Sequence, residues 1–349
     1  MQTQFSMPAE WQPHKRTWMC WPCRDGVWPD MAAAKRAFAE VARTIAAFEP
    51  VIMAARPQDV EAVTSFLPPL AERQRGEMSA SVLARVADRG GQIEVWSVPL
   101  DDSWARDIGP TFLKGAAIQW RFNAWGGKYA PFDQDARFAT RVAERDGVPL
   151  RTPPLVCEGG AIHSDGQGTL LTTEQCLLNP NRNPGLGKEA ATSILREATG
   201  AERVIWLGGG FSDQETDGHI DNIACFAAPV PNGRQRVIVG VPDSKSHPDH
   251  EVVLDAIARL KAAGMDVVEL AQPRSIRHDS QGRPLQTSYI NFALCHGGLV
   301  LPSFDDAHDE PARAVLADCF PDRAIKAVPA LDIVAGGGGI HCITLGQPA

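Results

Sequence analysis

The chain has 349 residues, with 34 basic and 42 acidic side chains and a formal net charge of −8. This balance argues against a nucleic-acid partner and suits a cationic ligand. Eight cysteines at irregular spacing in so large a chain do not predict a secreted disulfide framework. We expect no signal peptide from the first residues and, without a run of about 18 apolar residues, no membrane span. These features predict a cytoplasmic location, where a reactive thiolate would persist.

The hydrophobic pattern predicts helices that alternate with short strands, which indicates the α/β class. Strands are predicted over 51–54 and 93–96. Helices are predicted over 30–48, 58–66, 78–87, 135–145, 187–199, 250–263 and 310–318.

A loose recurrence begins in the second quarter of the chain. A strand with a polar tip, a turn and an apolar strand occur together, starting at Asp107, Glu158, His219, Ser288 and Gly339. The starts are separated by 51, 61, 69 and 51 residues. Repetition at such a period predicts a propeller-like or repeat architecture. No linker interrupts it, so we expect a single domain over 1–349.

The last part of the chain places one thiol, Cys342, shortly after four glycines at 336–339. Glycine lets a ligand or another backbone approach closely, so the run predicts a wall against which a flat molecule lies. The alternative from this stretch alone is a glycine-rich loop beside an ordinary buried cysteine.

Charged residues and an aromatic residue follow an apolar strand in the segment 101–110. One interpretation is that a carboxylate of this segment binds a cation while Trp104 lies against the ligand, because a guanidinium pairs with carboxylates and stacks on tryptophan. The alternative is a solvated loop with a local Arg–Asp pair. Glu158, followed by two glycines, repeats the acidic pattern, and alone it could be a turn residue.

The segment 213–222 carries a histidine and an acid two residues apart. His219 and Asp221 precede an apolar run, and a strand would place both side chains on one face. An imidazole beside a carboxylate suits general acid–base catalysis together with recognition of charge. Metal binding and a surface acidic loop remain alternatives, although no helix motif completes a ligand set.

Together these stretches offer a thiol, an imidazole and several carboxylates beside glycines. A cysteine nucleophile with a histidine partner is a familiar covalent arrangement, and clustered carboxylates suit a substrate that is cationic at the reacting carbon. The chain resembles the agmatine deiminase family, within the guanidine-modifying (pentein) superfamily. The resemblance covers nearly the whole length and rests on the ordered segments 7–11, 102–110, 123–129, 158–160, 177–184, 215–222, 288–292 and 336–344.

The resemblance implies an α/β pentein fold of five ββαβ units around a pseudo-fivefold axis. It implies that Cys342 is the nucleophile, His219 the general acid and base, and that Asp107 and Asp221 hold the guanidinium. Glu158 would support the substrate or His219, and Trp104 would line the pocket. Glu215 is the candidate partner of the substrate's primary amine, and Gly339 is a further pocket residue; family members often carry Asn at the position of Gly339.

The implied reaction is hydrolysis of agmatine to N-carbamoylputrescine and ammonia through a thiouronium bound to Cys342. The resemblance implies no metal and no organic cofactor, and it makes a homodimer an expectation. The alternatives are a deiminase for arginine or peptidyl-arginine and, in another class, a polyamine- or guanidine-binding protein without catalysis. A comparison of agmatine, free arginine and a peptide that ends in arginine separates the first two.

Overall fold

The computed structural model describes residues 5–67, 92–212, 215–229, 233–278, 282 and 284–349. The strands are β1 His14–Cys20, β2 Val51–Ala55, β3 Ile93–Ser97, β4 Thr111–Leu113, β5 Ala116–Ile118, β6 Leu150–Arg151, β7 Ile162–Ser164, β8 Thr169–Thr173, β9 Arg203–Leu207, β10 Ala224–Ala227, β11 Arg236–Val241, β12 Asp266–Ala271, β13 Ala293–Cys295, β14 Gly298–Ser303, β15 Ala324–Pro329 and β16 Thr344–Pro348.

The α-helices range from single turns to sixteen residues. They are α1 Met31–Ala46, α2 Val60–Phe66, α3 Ala105–Ile108, α4 Ala124–Gly127, α5 Phe138–Asp146, α6 Glu174–Leu177, α7 Lys188–Thr199, α8 Ile220–Ile223, α9 His250–Ala262, α10 Asp309–Cys319 and α11 Leu331–Val334. Within the described ranges, no helix is both long and apolar enough to cross a bilayer.

Four sheets of three strands share one connectivity. In each, the first two strands form an antiparallel hairpin, and a helical crossover brings a third strand parallel to the second. Their strand orders are β4-β5-β6, β7-β8-β9, β10-β11-β12 and β13-β14-β15. This is the ββαβ unit that the recurrence predicted, because a parallel third strand requires a crossover that is usually helical.

The fifth sheet joins the two ends of the chain and has the order β16-β1-β2-β3. Strand β16 pairs antiparallel with β1, with Trp18 opposite Leu345, and β2 and β3 follow in parallel. The hairpin partner of β1 therefore comes from the other end of the sequence. Five units result, which confirms the predicted pentein fold.

Helix α1 illustrates how the sequence builds the crossovers. Asp30 accepts a hydrogen bond from the Ala33 amide at 2.9 Å and so caps the first turn. One face of the helix, including Phe38 and Ile45, is buried. This face packs on β2 and also on β14 and β15 of the neighbouring unit, so the helix joins two sheets in one core.

Most predicted elements are present, and their ends differ by a few residues. The helix predicted over 58–66 begins with a short 3₁₀ turn, and the one predicted over 135–145 does the same. The helix predicted over 78–87 lies outside the described residues. The polar tips of the repeating strands were assigned wrongly, because Asp107 lies in the helical turn α3 and Asp221 in the helical turn α8, each ahead of its strand.

Candidate active site

The turn ahead of the first strand of each unit supplies the chemistry-bearing residues. Asp107 precedes β4, Glu158 precedes β7, Asp221 precedes β10, Asn291 precedes β13 and Cys342 precedes β16. Because the five units have the same connectivity, these turns occupy equivalent positions. Residues spread over more than two hundred positions of sequence are thus brought to one place.

The surroundings of Gly160 show how closely the side chains of these turns approach one another. A methyl group at its Cα would lie 2.7 Å from His219 Nδ1, 2.8 Å from Asp221 Oδ2 and 2.9 Å from Asp107 Oδ1. All three side chains are buried, so the imidazole and both carboxylates surround one point inside the protein. Only glycine leaves that point open.

Asp107 is fixed by two donors from different units. The Gly160 amide donates to its Oδ1 and the Trp125 indole Nε1 donates to its Oδ2, both at 2.9 Å. Burial raises the pKa of Asp107, and the neighbouring Asp221 and Glu158 carboxylates raise it further, against the lowering effect of His219. A cation placed beside it would therefore be strongly favoured.

His219 lies between two carboxylates. Its Nε2 is 3.3 Å from Glu158 Oε2 and its Nδ1 is 3.9 Å from Asp107 Oδ2. Burial lowers the pKa of His219, but Asp107, Cys176 and Glu158 together outweigh burial and raise it well above the ordinary value. The imidazole is therefore charged near neutral pH and has a proton to give.

The sequence-based reason for pairing His219 with Asp221 was wrong, although both residues belong to the cluster. They do not alternate on a strand: His219 caps helix α8 and Asp221 lies in its first turn. Asp221 Oδ2 lies 2.8 Å from His341 Nδ1 and 3.6 Å from Cys342 Sγ. In the described part of the chain, Asp221 Oδ1 and His219 Nδ1 are buried without a hydrogen-bond partner. Two polar atoms thus remain available to a ligand.

Cys342 lies in the turn before β16 and is 3% exposed. The Asn291 amide Nδ2 lies 3.3 Å from its sulfur, and Asn291 Oδ1 accepts a hydrogen bond from the His341 amide at 2.9 Å. Burial raises the pKa of the Cys342 thiol, and Asp221 and Asp107 raise it further. The sulfur is therefore protonated until positive charge arrives beside it.

Glu158 supports the imidazole and is itself neutralised. Arg182 Nε donates to Glu158 Oε1 at 2.8 Å, and both side chains are fully buried. Burial raises the pKa of Glu158, but His219 and Arg182 outweigh it and lower the pKa. This contact pattern favours the role beside His219 over the role beside a substrate.

One set of potential metal ligands overlaps the site. A carboxylate oxygen of Glu158, the sulfur of Cys176 and a ring nitrogen of His219 lie within 4.8 Å of one another. The Arg182 guanidinium already pairs with the Glu158 carboxylate, and its positive charge would oppose a metal ion bound to the same carboxylate. The arrangement therefore suits an ion-paired imidazole better than a metal centre.

Trp104 forms a wall beside the thiol. Its ring stacks on Trp28 with centroids 5.4 Å apart, and both rings are buried. A methyl group at Gly338 would lie 2.6 Å from the Trp104 ring and 3.2 Å from Cys342 Cβ. The glycine run thus lets the indole approach the turn that carries the sulfur.

Glu215 lies beside Gly337, the glycine that precedes Gly338 in that run. A methyl group at Gly337 would lie 2.8 Å from Glu215 Cγ. Tyr129 donates to Glu215 Oε2 at 2.5 Å, which orients the carboxylate. Burial and the Glu215 carboxylate raise the pKa of Tyr129, so the phenol stays protonated and remains a donor. Gly339 instead packs against Asn291.

Sequence reasoning missed several supporting residues: Trp125, Arg182, Asn291 and His341 contact the predicted groups through side-chain hydrogen bonds, and Glu10 contacts His341. Asn291 could have been found from the repeat, because it occupies the fourth unit's equivalent of Asp107 and Cys342. The others carry no such signal, since their partners lie far away in sequence.

A model of the Porphyromonas-type peptidyl-arginine deiminase family matches residues 6–348 of the chain. The chain belongs to this family. The agmatine deiminase of Pseudomonas aeruginosa (strain LESB58) is 39% identical, over 99% of this chain and 96% of that protein. The structure of the agmatine deiminase of Enterococcus faecalis matches with a TM-score of 0.86 and 33% identity, over 99% of this chain and 96% of that one.

The resemblance inferred from the sequence motifs is thereby confirmed. A dimethylarginine dimethylaminohydrolase structure matches with a TM-score of 0.51 over 95% of this chain and 99% of that one, at 14% identity. At that identity the match concerns the fold alone, which this family shares with other pentein enzymes. The chain shares this fold, and its buried thiol, imidazole and carboxylates lie in the turns that the five units bring together.

Proposed function

We propose that this chain hydrolyses agmatine to N-carbamoylputrescine and ammonia through a covalent intermediate on Cys342. The observation that supports this most directly is the convergence of His219, Asp107 and Asp221 on the space beside Gly160, with the Cys342 sulfur 3.6 Å from Asp221. A flat cation that carries its charge on the reacting carbon matches a thiol enclosed by carboxylates. One catalytic domain over 1–349 is part of the proposal.

Binding of the guanidinium uses the two aspartates. Asp221 Oδ1 has no hydrogen-bond partner among the described residues and is buried, so it offers a strong acceptor to an N–H group. Asp107 is held rigidly by Gly160 and Trp125 and supplies the second negative charge. Trp104, stacked on Trp28, presents an aromatic surface to a planar group. Gly339, which packs on Asn291, is a further residue of the proposed pocket.

The first half of the reaction forms a carbon–sulfur bond. The positive charge of the bound guanidinium lowers the pKa of the Cys342 thiol, which loses its proton to solvent, and the resulting thiolate attacks the guanidine carbon. His219 Nδ1, which has no hydrogen-bond partner in the described chain, donates its proton to the departing nitrogen. Ammonia leaves when the carbon–nitrogen bond breaks, and a thiouronium remains on the sulfur.

The second half uses the same imidazole as a base. His219 is now neutral and removes a proton from water, and the oxygen attacks the thiouronium carbon. The carbon–sulfur bond then breaks and the remaining hydroxyl proton passes to the departing sulfur, which releases the neutral ureido product and regenerates the thiol. Glu158, 3.3 Å from His219 Nε2, keeps the ring oriented in both directions of proton transfer.

Agmatine rather than arginine is the proposed substrate because of the charges beside Glu215. A carboxylate oriented by Tyr129 suits the primary amine of agmatine. The nearby Lys128 ammonium is held by the Glu215 carbonyl at 2.8 Å and the Asp217 carboxylate at 2.9 Å, so an α-carboxylate would have to displace those partners. Peptidyl-arginine, the substrate in the family's name, faces the same obstacle when its arginine is C-terminal.

The test compares kcat/KM for agmatine, free arginine and a peptide that ends in arginine, with ammonia and the ureido product both measured. We expect agmatine to exceed the other two by at least about tenfold, which corresponds to about 1.4 kcal/mol. A preference for arginine or for the peptide would refute the agmatine assignment.

A matched pair of cysteine variants tests the nucleophile. Cys342→Ala should lose nearly all turnover, whereas Cys319→Ala, a buried cysteine in α10, should retain it. Retained turnover in Cys342→Ala would remove the sulfur from the mechanism. Agmatine binding without turnover in the intact chain would support a binding protein instead.

The assembly and location of the protein belong to the same proposal. We propose a homodimer in the cytoplasm, acting on a small cationic guanidine without a metal or organic cofactor. All eight cysteines are free and buried, which suits a reducing compartment. Light scattering of the purified protein tests the dimer, and turnover after exhaustive chelation tests the absence of a metal.

A further inference from the structure

A second set of charged side chains extends from Asp221 to the beginning of the described chain. His341 Nδ1 lies 2.8 Å from Asp221 Oδ2, and His341 Nε2 lies 3.1 Å from both oxygens of Glu10. Arg106 Nη1 donates to Glu10 Oε1 at 2.8 Å. The imidazole of His341 is 4% exposed and is thus enclosed between two carboxylates.

His341 occupies only one of the two oxygens of Asp221. The contact with His341 occupies Oδ2, while Oδ1 is buried and has no hydrogen-bond partner among the described residues. If the His341 contact were lost, the carboxylate could rotate and use either oxygen. The residue next to the thiol in sequence therefore controls the orientation of the group proposed to hold the substrate.

We propose that His341 is a positioning residue whose imidazolium, held by Glu10, keeps Asp221 ionised and fixed in one orientation, so that Oδ1 stays available to accept from the guanidinium. His341 acts on the substrate only through Asp221. This role of His341 rests on the function proposed above in one respect, which is the identity of the cation that Asp221 binds.

The charges that face His341 support an imidazolium. Burial and Arg106 lower the pKa of His341, but Glu10 and Asp221 outweigh them and raise it. In Asp221, burial raises the pKa, and His341 lowers it to below the ordinary value. His163, whose ring centroid is 6.5 Å away, has its pKa lowered to about 4 by burial and adds no positive charge near neutral pH. Asp107 and His219 act on Asp221 from the substrate side.

The variants separate charge from hydrogen bonding. His341→Asn removes the charge but places an amide N–H near Nδ1, so it can still donate to Asp221. His341→Gln places its amide near Nε2, toward Glu10, and leaves Asp221 without that donor. The double variant Glu10→Gln/His341→Gln removes both charges together and covers the case in which a single variant does not fold. His308→Asn is the matched control, because its Nδ1 contacts the Gln272 carbonyl, outside the site.

Two readouts follow the ionisation of the carboxylates. The first is the pH dependence of kcat/KM for agmatine. The second is the pH dependence of inactivation by 2-chloroacetamidine, a flat cation whose methylene carbon bonds to the Cys342 sulfur as chloride leaves. The second readout needs no turnover, so it tests His341 even if agmatine is not the substrate.

Loss of an opposite charge within hydrogen-bond distance raises the pKa of a carboxylate by about 1–3 units. Asp107 and Asp221 titrate as a pair, so the acidic limb of both profiles should move up by about 1–3 pH units in both single variants and in the double variant. At pH values above the acidic limb, His341→Asn should retain more activity than His341→Gln, because only the Asn amide can still donate to Asp221. His308→Asn should keep the original profile.

An unmoved acidic limb in the folded His341 variants, with an equal loss at every pH, would overturn the proposal. If His341→Asn and His341→Gln had equal activity at pH values above the acidic limb, the claim that His341 fixes the orientation of Asp221 would be overturned. If the intact chain fails to hydrolyse agmatine while the 2-chloroacetamidine profile shifts as expected, the proposed function fails and the role of His341 stands.

Discussion

Replacement of Gly160 by alanine tests the geometry of the site more severely than removal of any reacting group. The new methyl would lie 2.7 Å from His219 Nδ1, 2.8 Å from Asp221 Oδ2 and 2.9 Å from Asp107 Oδ1. Ordinary contacts of such a carbon begin at 3.4 Å, so each group must retreat by about 0.5–0.7 Å. The backbone at Gly160 is outside the positive-φ region, which means that alanine is not strained there for conformational reasons.

The expected effect is large on catalysis and moderate on stability. A misplacement of about 1 Å can cost about 100-fold in rate, and overpacking of a close-packed interior costs about 1–3 kcal/mol. We expect kcat/KM for agmatine to fall by about 100-fold, which is about 2.7 kcal/mol of transition-state stabilisation. The free energy of unfolding, measured with urea, should fall by no more than about 3 kcal/mol, so the variant can be assayed while folded.

Gly187→Ala is the matched control. Gly187 has no positive φ, and its new methyl would meet nothing closer than 3.8 Å. Its position at the start of α7 predicts a stability change of at most about 1 kcal/mol and unchanged turnover. Full activity of Gly160→Ala, or an equal loss in both variants, would refute the convergence of the three groups on this point.

Three further substitutions test the charges and the supporting contacts. Asp107→Asn removes a buried charge from the proposed guanidinium site. Because loss of one partner of a buried charge pair costs about 2–5 kcal/mol, kcat/KM should fall by about 30-fold or more. An unchanged kcat/KM would contradict the proposed role of Asp107 in holding the guanidinium. Arg182→Met leaves Glu158 buried without its cation and should lower the free energy of unfolding by about 3–5 kcal/mol in urea titrations; an unchanged midpoint would contradict the ion pair. Tyr129→Phe should raise KM for agmatine by about fivefold, at about 1 kcal/mol for the lost hydrogen bond, with little change in kcat; a selective loss of kcat would instead place Glu215 near the reacting carbon.

The repeat was readable from the sequence because each unit repeats a physical requirement. A hairpin followed by a crossover needs a turn, an apolar strand and a helix in fixed order, so the starts at Asp107, Glu158 and His219 recur at similar distances. The same turns carry the reactive groups, which is why the predicted candidates lie together. Closure of the ring by β16 and β1 was not readable, since their pairing joins residues about 330 positions apart.

The partners of the reactive groups were much harder to predict. Arg182 and Glu158 form a fully buried ion pair, yet nothing in either local pattern indicates the other. The contact of His341 with Glu10 spans 331 positions. Side-chain hydrogen bonds have no periodicity, so a single sequence shows which groups are available and leaves open which of them are paired. The strand predicted from His219 begins only at Ala224, because Ile220–Ile223 forms a helical turn ahead of it.

The directions of the pKa shifts predict that the proposed site is selective for a cation. Burial, Asp221 and Asp107 raise the pKa of the Cys342 thiol, so the sulfur of the free protein is a poor nucleophile near neutral pH. The same carboxylates attract a guanidinium, and its arrival replaces their repulsion of a thiolate with attraction. Binding and activation of the nucleophile are then one electrostatic event. A neutral electrophile of the same shape would leave the carboxylates uncompensated and the thiol protonated, which protects the sulfur from reaction with other molecules.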